Sequence, residues 1–256
     1  MDPATIIGVV LALAALLITM VMEGSSPMAI FLIPPMILVF GGTFGAAIAG
    51  QTMSDVKKMG AWMKMGFLPA AVPPAIDRIQ TLVSLAEKAR KEGLLALEAE
   101  VKKIDDPFLK RGLQMSIDGT DPEDLRSILE GEIAAKKGED KVAAKFFTAM
   151  GGYAPTVGII GTVVGLIHVL ENLDNPEMLG PLIAGAFVAT LWGVLSANFF
   201  WLPVAAKITR TSDLQAASME LLVEGIAEIQ AGTSPRTVRQ KLTSLVPPSE
   251  QQREAA

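Results

Sequence analysis

The sequence predicts an all-α membrane protein: four transmembrane helices in two hairpins, with a helical cytoplasmic domain between them. Four long stretches contain no Asp, Glu, Lys or Arg, although 19% of the 256 residues are charged. Because a helix rises 1.5 Å per residue, about 20 such residues cross the hydrocarbon layer. The stretches are Ala4–Met22, Met28–Gly50, Phe146–Leu170 and Met178–Ala206.

The first stretch has one alternative interpretation, a signal peptide. Met1, Asp2 and Pro3 precede it in place of a basic region, and it is longer than the usual apolar core of a signal peptide. We therefore expect a retained span.

The distribution of basic residues predicts the orientation in the membrane. Of the 22 Lys and Arg residues, sixteen lie between Gln51 and Lys145 and six lie after Ala206. The turn after the first stretch carries only Glu23, and the turn after the third carries acidic residues alone. The positive-inside rule then places both termini and the long loop in the cytoplasm. The net charge is −5, acidic and basic residues are both present, and this balance favours no nucleic-acid partner.

The uncharged stretches divide the chain into four segments. They are residues 1–50 with transmembrane helices 1 and 2, residues 51–145 with the cytoplasmic helical loop domain, residues 146–206 with transmembrane helices 3 and 4, and residues 207–256 with a cytoplasmic helix and tail.

The loop and the C-terminal segment show helical patterns and turn residues but no strand pattern. Gly93 is expected to end the first loop helix, and Gly138 to separate the last one from the helix of the third span. The polar tail from Pro247 is expected to be disordered. The predicted helices begin after Val72-Pro73-Pro74 and span Leu94–Ile104, Phe108–Ile117, Thr120–Lys137, Ala205–Gln230 and Arg236–Leu245.

Small residues repeat along the third and fourth spans and predict close helix packing. Gly158, Gly161 and Gly165 lie near one face of the third span. Small residues at this spacing let helix backbones approach closely, either within one subunit or at a seam with another subunit or partner helix. The repeat in the fourth span is Gly185, Ala189, Gly193 and Ala197.

Polar side chains and prolines in the same spans suggest more than anchoring. A membrane threonine often bonds only to the carbonyl four residues back in its own helix. Thr162 and Thr190, however, are expected at similar depth on neighbouring helices, which favours a lining role. Pro155 and Pro203 each free a backbone carbonyl and can bend their helices, and Pro34-Pro35 is expected to do the same inside the second span.

The absence of membrane carboxylates is informative, because intramembrane charges usually mark ion or proton paths. His168, near the outer end of the third span, is the only candidate for such a role, and we expect it to face headgroups. If the chain helps to conduct a cation, the carboxylate must come from another polypeptide. We find no catalytic, metal-ligand or nucleotide-binding pattern, so neither an enzyme nor a bound cofactor is predicted.

These features together resemble the MotA/PomA family of flagellar motor stator subunits. The span-four motif Ala186–Leu195, followed after seven residues by Pro203, is the most specific match. The span-three segment Tyr153–Leu166 is also typical of that family. Further matches cover nearly the whole chain, in Ala89–Gly93, Ala96–Glu98, Glu224–Ile226, Ile229–Gly232 and Pro235-Arg236.

The resemblance implies a location in the bacterial inner membrane and a mechanism. Five such subunits would surround the paired single spans of a MotB-type partner, which supplies the missing membrane Asp. Ion passage would turn the ring, and the loop would act on the rotor protein FliG through Arg90 and Glu98. Pro155 and Pro203 would couple ion flow to conformational change. The pairing of Thr162 with Thr190 resembles sodium-type members, yet hydroxyls serve water equally well, so H⁺ and Na⁺ both stay open.

Two alternatives belong to other classes. An ExbB/TolQ-like energiser of envelope transport is related, but that family usually has three spans without this hairpin-loop-hairpin order. A transporter or passive channel working alone is disfavoured, because the spans lack a carboxylate of their own.

Overall fold

The computed structural model describes residues 3–68 and 72–251, and within these ranges it contains helices and no β-strand. The all-α prediction is confirmed. The helices are α1 Pro3–Met22, α2 Ile33–Ala49, α3 Met53–Phe67, α4 Ala75–Glu92, α5 Glu98–Val101, α6 Pro107–Ile117, α7 Pro122–Leu170, α8 Pro176–Ser196, α9 Leu202–Gln230, α10 Pro235–Ser244 and α11 Pro248–Gln251.

By length and composition, three helical segments of the described chain could cross a membrane: Pro3–Met22, Pro122–Leu170 and Pro176–Gln230. The second apolar stretch contributes only the 17-residue α2. Pro34 and Pro35 stand in the first turn of α2, after a 3₁₀ turn at Pro27–Ile30. These prolines begin α2 and do not bend a continuous helix, so our expectation of a bend there is wrong. Proline fits the first turn of a helix, where no bond within that helix needs its N–H.

Helix α7 runs for 49 residues without interruption, so the break predicted at Gly138 is wrong. A single glycine inside a helix costs only about 1 kcal/mol relative to alanine. The buried residues Ile133 and Ala143 on either side continue the packed face. Tertiary packing therefore outweighs the local weakness at Gly138.

The shorter helices of the loop end at local turn residues. Gly93 caps α4 with a φ of +87°, a conformation that glycine adopts without strain. The helix predicted over Leu94–Ile104 is instead a 3₁₀ turn at Leu94–Leu97 followed by the single turn of α5. The tail expected to be disordered begins with α11, and residues 252–256 lie outside the described chain.

The chain forms two compact units, to both of which α7 and α9 contribute. The first comprises residues up to 70 and 140–209, and the second comprises residues 71–139 and those from 210 onward. In the first unit, Trp62 packs on Phe146, with ring centroids 5.6 Å apart, within a cluster that includes Met150 and Ile208. In the second unit, α4, α6, α9 and α10 enclose a separate apolar core.

An ion pair holds α10 in the second unit. The Glu228 carboxylate of α9 is only 9% exposed and lies 2.5 Å from Lys241 Nζ of α10. Burial by itself would raise the pKa of Glu228, but hydrogen bonds from Lys241 and Thr233 and the charges of Lys241 and Arg126 together outweigh burial and hold that pKa below its usual value. The pair therefore stabilises α10 above the ordinary glutamate pKa, and this contribution is lost as the pH falls through the lowered one.

We predict that Glu228→Gln loosens α10. Losing the charge-assisted bond to the half-exposed Lys241 should cost about 1 kcal/mol, or about fivefold in protection from amide exchange. Hydrogen exchange of residues 235–244 measures this, and the difference from the parent should shrink in acid. Glu220→Gln, at an exposed α9 position, is the control; equal protection in both variants would contradict the role of the pair.

Candidate functional site

Helices α7 and α8 pack backbone against backbone. A Cβ built on Gly158 would lie 2.8 Å from the carbonyl oxygen of Ala189, and one built on Gly193 would lie 2.6 Å from that of Ala154. At such distances the added Cβ would clash with main-chain atoms, which cannot move aside as the end of a flexible side chain can. Only glycine therefore fits at these two crossing points.

The predicted small-residue stripe divides between different neighbours. A Cβ built on Gly161 of α7 would contact Ala189 of α8, and a Cβ built on Gly193 of α8 would contact α7. This part of the seam therefore lies within one chain. Gly185 faces away from α7, and a Cβ added to it would lie 3.8 Å from Leu32 Cδ1. Ala197 is buried in the cluster around Trp201. The same-subunit alternative thus accounts for Ala189 and Gly193.

The close approach brings the two predicted threonines together. Thr162 Oγ1 lies 3.0 Å from the carbonyl oxygen of Ala186 in α8 and 3.2 Å from that of Gly158 in its own helix. Thr190 Oγ1 lies 3.3 Å from the carbonyl oxygen of Gly158, and the two hydroxyls share a hydrogen bond. Bonding to their own helix alone does not describe this cluster, because each hydroxyl reaches across to the other helix.

Four oxygen atoms therefore gather at one half-buried point between α7 and α8. The two hydroxyls bring only two protons, so lone pairs remain after every hydrogen bond is made. Neutral oxygens of this kind suit water or a hard cation such as Na⁺. They carry no net charge, so an anion would have to come from elsewhere to make a cation stable here.

The two predicted coupling prolines have different settings. Pro155 is half-buried inside α7 and does not interrupt it. Pro203 is exposed and follows a π turn at Ala197–Trp201, where the helix widens before continuing as α9. Because proline has no N–H, each releases the carbonyl four residues earlier from helical bonding. A π turn interrupts the regular helical hydrogen bonds just before Pro203, whereas α7 continues through Pro155.

Trp192 anchors α8 to the start of α2, a contact that our sequence reasoning missed. Its Nε1–H donates to the carbonyl of Ile30 at 2.6 Å, and its ring lies 5.7 Å from that of Phe31. Pro34, four residues after Ile30, has no N–H with which to bond this carbonyl. A buried tryptophan needs an acceptor, and the carbonyl four residues before a proline lacks the usual helical donor. This combination is the signal that could have found the pair.

His168 lies at the exposed end of α7. Its Nδ1 is 3.3 Å from Glu171 Oε2, and Asn172 Nδ2 donates to its backbone carbonyl at 2.8 Å. His168 and Glu171 are exposed and Asn172 is half-buried, so the histidine does not lie in an apolar interior.

Arg90 and Glu98 are both exposed but belong to different helices. Arg90 is in the last turn of α4, and Glu98 begins α5 and lies 3.7 Å from Lys102. A bond of 2.8 Å from Lys88 of α4 to Glu100 of α5 joins the two segments. That hydrogen bond raises the pKa of Lys88 and lowers that of Glu100. Arg90 makes no ion pair with any described residue.

Comparison with known sequences identifies related proteins. Residues 100–221 match the family described as the MotA/TolQ/ExbB proton channel family. The chain is 36% identical to Motility protein A of Bacillus subtilis over 247 residues, which are 96% of this chain and 92% of the relative. It is 34% identical to Motility protein A of Borreliella burgdorferi over 250 residues, 98% of this chain and 96% of the relative.

Two solved structures share this fold. A chain of the flagellar MotAB stator complex from Bacillus subtilis superposes with a TM-score of 0.91 at 35% identity, over 98% of both chains. A chain of the C. jejuni MotAB structure superposes with a TM-score of 0.92 at 29% identity, over 97% of both chains.

We predict that Gly193→Ala destabilises the purified chain by about 1–3 kcal/mol, the usual cost of overpacking a filled contact. The added methyl would collide with the carbonyl of Ala154. Thermal melting in detergent measures the loss. Gly180→Ala in the same helix is the control, because a Cβ there meets nothing within 4 Å. If both variants melt like the parent, the glycine seam is not a close backbone contact.

Proposed function

The chain belongs to the Motility protein A family within the MotA/TolQ/ExbB proton channels, and we infer from this membership that it is a MotA-type subunit of the flagellar stator. The family resemblance in the sequence is thereby confirmed. With a MotB-type partner it forms an ion channel that converts cation flow into torque on the rotor. The near-full-length match to motility proteins disfavours the ExbB/TolQ-like alternative, and the subunit acts as part of a channel rather than as an enzyme.

We propose four membrane spans with both termini in the cytoplasm. The second crossing along the chain consists of the 3₁₀ turn at Pro27–Ile30 together with α2, and the turn supplies the length that α2 alone lacks. Trp192 supports this arrangement, because its bond to Ile30 ties the turn to α8. The basic residues support the orientation, because they lie between the second and third uncharged stretches and after the fourth, and none lies in the turns after the first and third.

The oxygen cluster of Thr162 and Thr190 carries our proposal for the ion path. It is half-buried among apolar residues, and no carboxylate lies in residues 146–170 or 178–206. A partner's Asp beside this cluster would provide the missing negative charge, and the hydroxyl and carbonyl oxygens would hold water or the cation next to it. The transported ion is H⁺ or Na⁺, and no bound cofactor is involved.

Assembly would cover the apolar face that α7 leaves open. Five large side chains there are each more than half exposed within the single chain: Ile159, Ile160, Val163, Val164 and Ile167. We propose that the partner's spans and further copies of this chain, in a homopentamer, cover this face, and that lipid covers α1. Without such partners, these five side chains beside the oxygen cluster would contact only lipid.

The coupling proposal uses the two prolines. Protonation or cation binding at the partner's Asp changes the charge facing the oxygen cluster. Pro155 and Pro203 bracket that cluster along the chain and leave backbone carbonyls without helical partners, so bending there breaks fewer hydrogen bonds than elsewhere. The ring of subunits would then turn around the partner, and Arg90 and Glu98 would act on FliG.

We predict that Thr162→Ala raises the Na⁺ concentration needed for rotation if sodium is the transported ion, because one oxygen ligand is lost. Swimming speed against Na⁺ at fixed pH, in parent and variant, measures this. Thr19→Ala in α1 is the control, since that hydroxyl bonds only to the carbonyl of Ala15 at 2.9 Å.

A parent whose speed ignores Na⁺ and collapses with a protonophore would refute the sodium proposal. Thr162 would then serve water and packing in a proton path. If Thr162→Ala swims like the parent with either ion, the cluster is not part of the path.

We predict that Arg90→Glu impairs motility more than Arg90→Ala, because reversal turns attraction to the rotor into repulsion whereas neutralisation only removes it. Swarm diameter measures the effect, and a charge reversal on FliG should restore the reversed variant. Lys91→Glu is the matched control, because Lys91 already pairs with Glu87 at 2.5 Å. Equal swarming of the Ala and Glu variants at position 90 would argue against contact.

A further inference from the structure

A groove runs between α1 and the region of the π turn. Its volume is about 430 Å³, within the range of about 300–1,000 Å³ that small-molecule sites occupy. Val9 and Ala12 line one side, and Phe199 and Pro203 line the other. A Cβ built on Gly8 would meet no atom within 4 Å, so the wall at Gly8 is open. The groove therefore has space for a flexible apolar chain.

The polar groups of the groove cluster near the ends of the apolar stretches. Lys207 Nζ donates to Thr5 Oγ1 at 3.0 Å. Thr5 is in the first turn of α1, and Lys207 is the first charged residue after the uncharged stretch 178–206. Both residues thus lie where hydrocarbon gives way to headgroups, and a lysine there extends its ammonium toward phosphate level. Asn198 also lines the groove, but its amide donates to the carbonyl of Val194 at 2.8 Å.

We propose that this groove binds an anionic phospholipid, with one acyl chain along the apolar walls and the phosphate at Lys207 and Thr5. An apolar channel that ends in a cation and a hydroxyl at headgroup depth matches such a lipid in both shape and charge. A helix from a neighbouring copy matches less well, because the uncharged stretches of that copy bring no anion to Lys207.

The π turn gives this groove its position in the fold. Asn198 and Phe199, two of its lining residues, belong to the turn, and Pro203 follows it. Widened helical turns of this kind often occur at functional sites. The bound lipid would fill the space beside the widened turn. This inference requires only that α1 and the stretch 178–206 both span the membrane, so it is independent of ion choice and of rotor contact.

The test uses the chain purified with its MotB-type partner and placed in nanodiscs of mixed phosphatidylglycerol and phosphatidylcholine. Native mass spectrometry then counts the lipids that each complex retains. We expect the parent to prefer phosphatidylglycerol by about fivefold, the size of effect that one basic residue gives near a membrane surface. Gly8→Leu should fill the groove and lose the retained lipid, while Lys207→Gln should keep a lipid but lose the headgroup preference.

Gly45→Leu is the matched control, an exposed α2 glycine whose Cβ would also meet nothing within 4 Å. It should retain lipid like the parent. The proposal is overturned if Gly8→Leu retains as much lipid as Gly45→Leu, or if the parent does not prefer phosphatidylglycerol. None of these outcomes depends on motility.

Discussion

The membrane part of this protein depends on the close approach of two helix backbones at Gly158 and Gly193. Lipid tails are as apolar as side chains, so hydrophobic burial contributes little to holding helices together in a bilayer, and close packing with polar bonds must do so. The same approach creates the oxygen cluster. At a larger separation, Thr162 and Thr190 would bond within their own helices. At this separation each hydroxyl reaches a carbonyl or hydroxyl of the other helix. Packing and candidate chemistry thus follow from one steric condition.

Prolines also shape the membrane helices, because they release backbone carbonyl groups from helical hydrogen bonds. Each proline in a helical region leaves one carbonyl without a helical donor, and a membrane offers no water to replace it. The protein handles these groups differently. Trp192 donates to the carbonyl of Ile30 and so fixes the entrance of α2. Before Pro203 the helix widens into a π turn, and that turn forms one wall of the apolar groove beside α1. The irregular backbone before Pro203 therefore coincides with the groove for which lipid binding is proposed.

Charge is kept out of the membrane segments and concentrated outside them. The oxygen cluster is neutral, so it can accommodate a cation only when another chain brings an anion, and ion binding is thereby linked to assembly. Outside the membrane, charged side chains also stabilise the fold through ion pairs. Lys88 and Glu100 join α4 to α5, the two helices that carry Arg90 and Glu98, and Glu228 with Lys241 secures α10. The exposed charges are consequently presented from a scaffold that other ion pairs hold in place.

The sequence by itself determined the all-helical class, the apolar stretches, the glycine end of α4 and the residue types of the site, because hydropathy, helical period and turn chemistry are local properties of a chain. It misjudged Gly138 and Pro34-Pro35, where packing and position within the helix outweigh local preference. Only the tertiary structure decided that Gly193 and Ala189 face α7 of the same chain, that Gly185 does not, and that Trp192 bonds to Ile30. These outcomes depend on distances of a few ångströms between helices, and spacing along one helix contains no information about how closely another approaches.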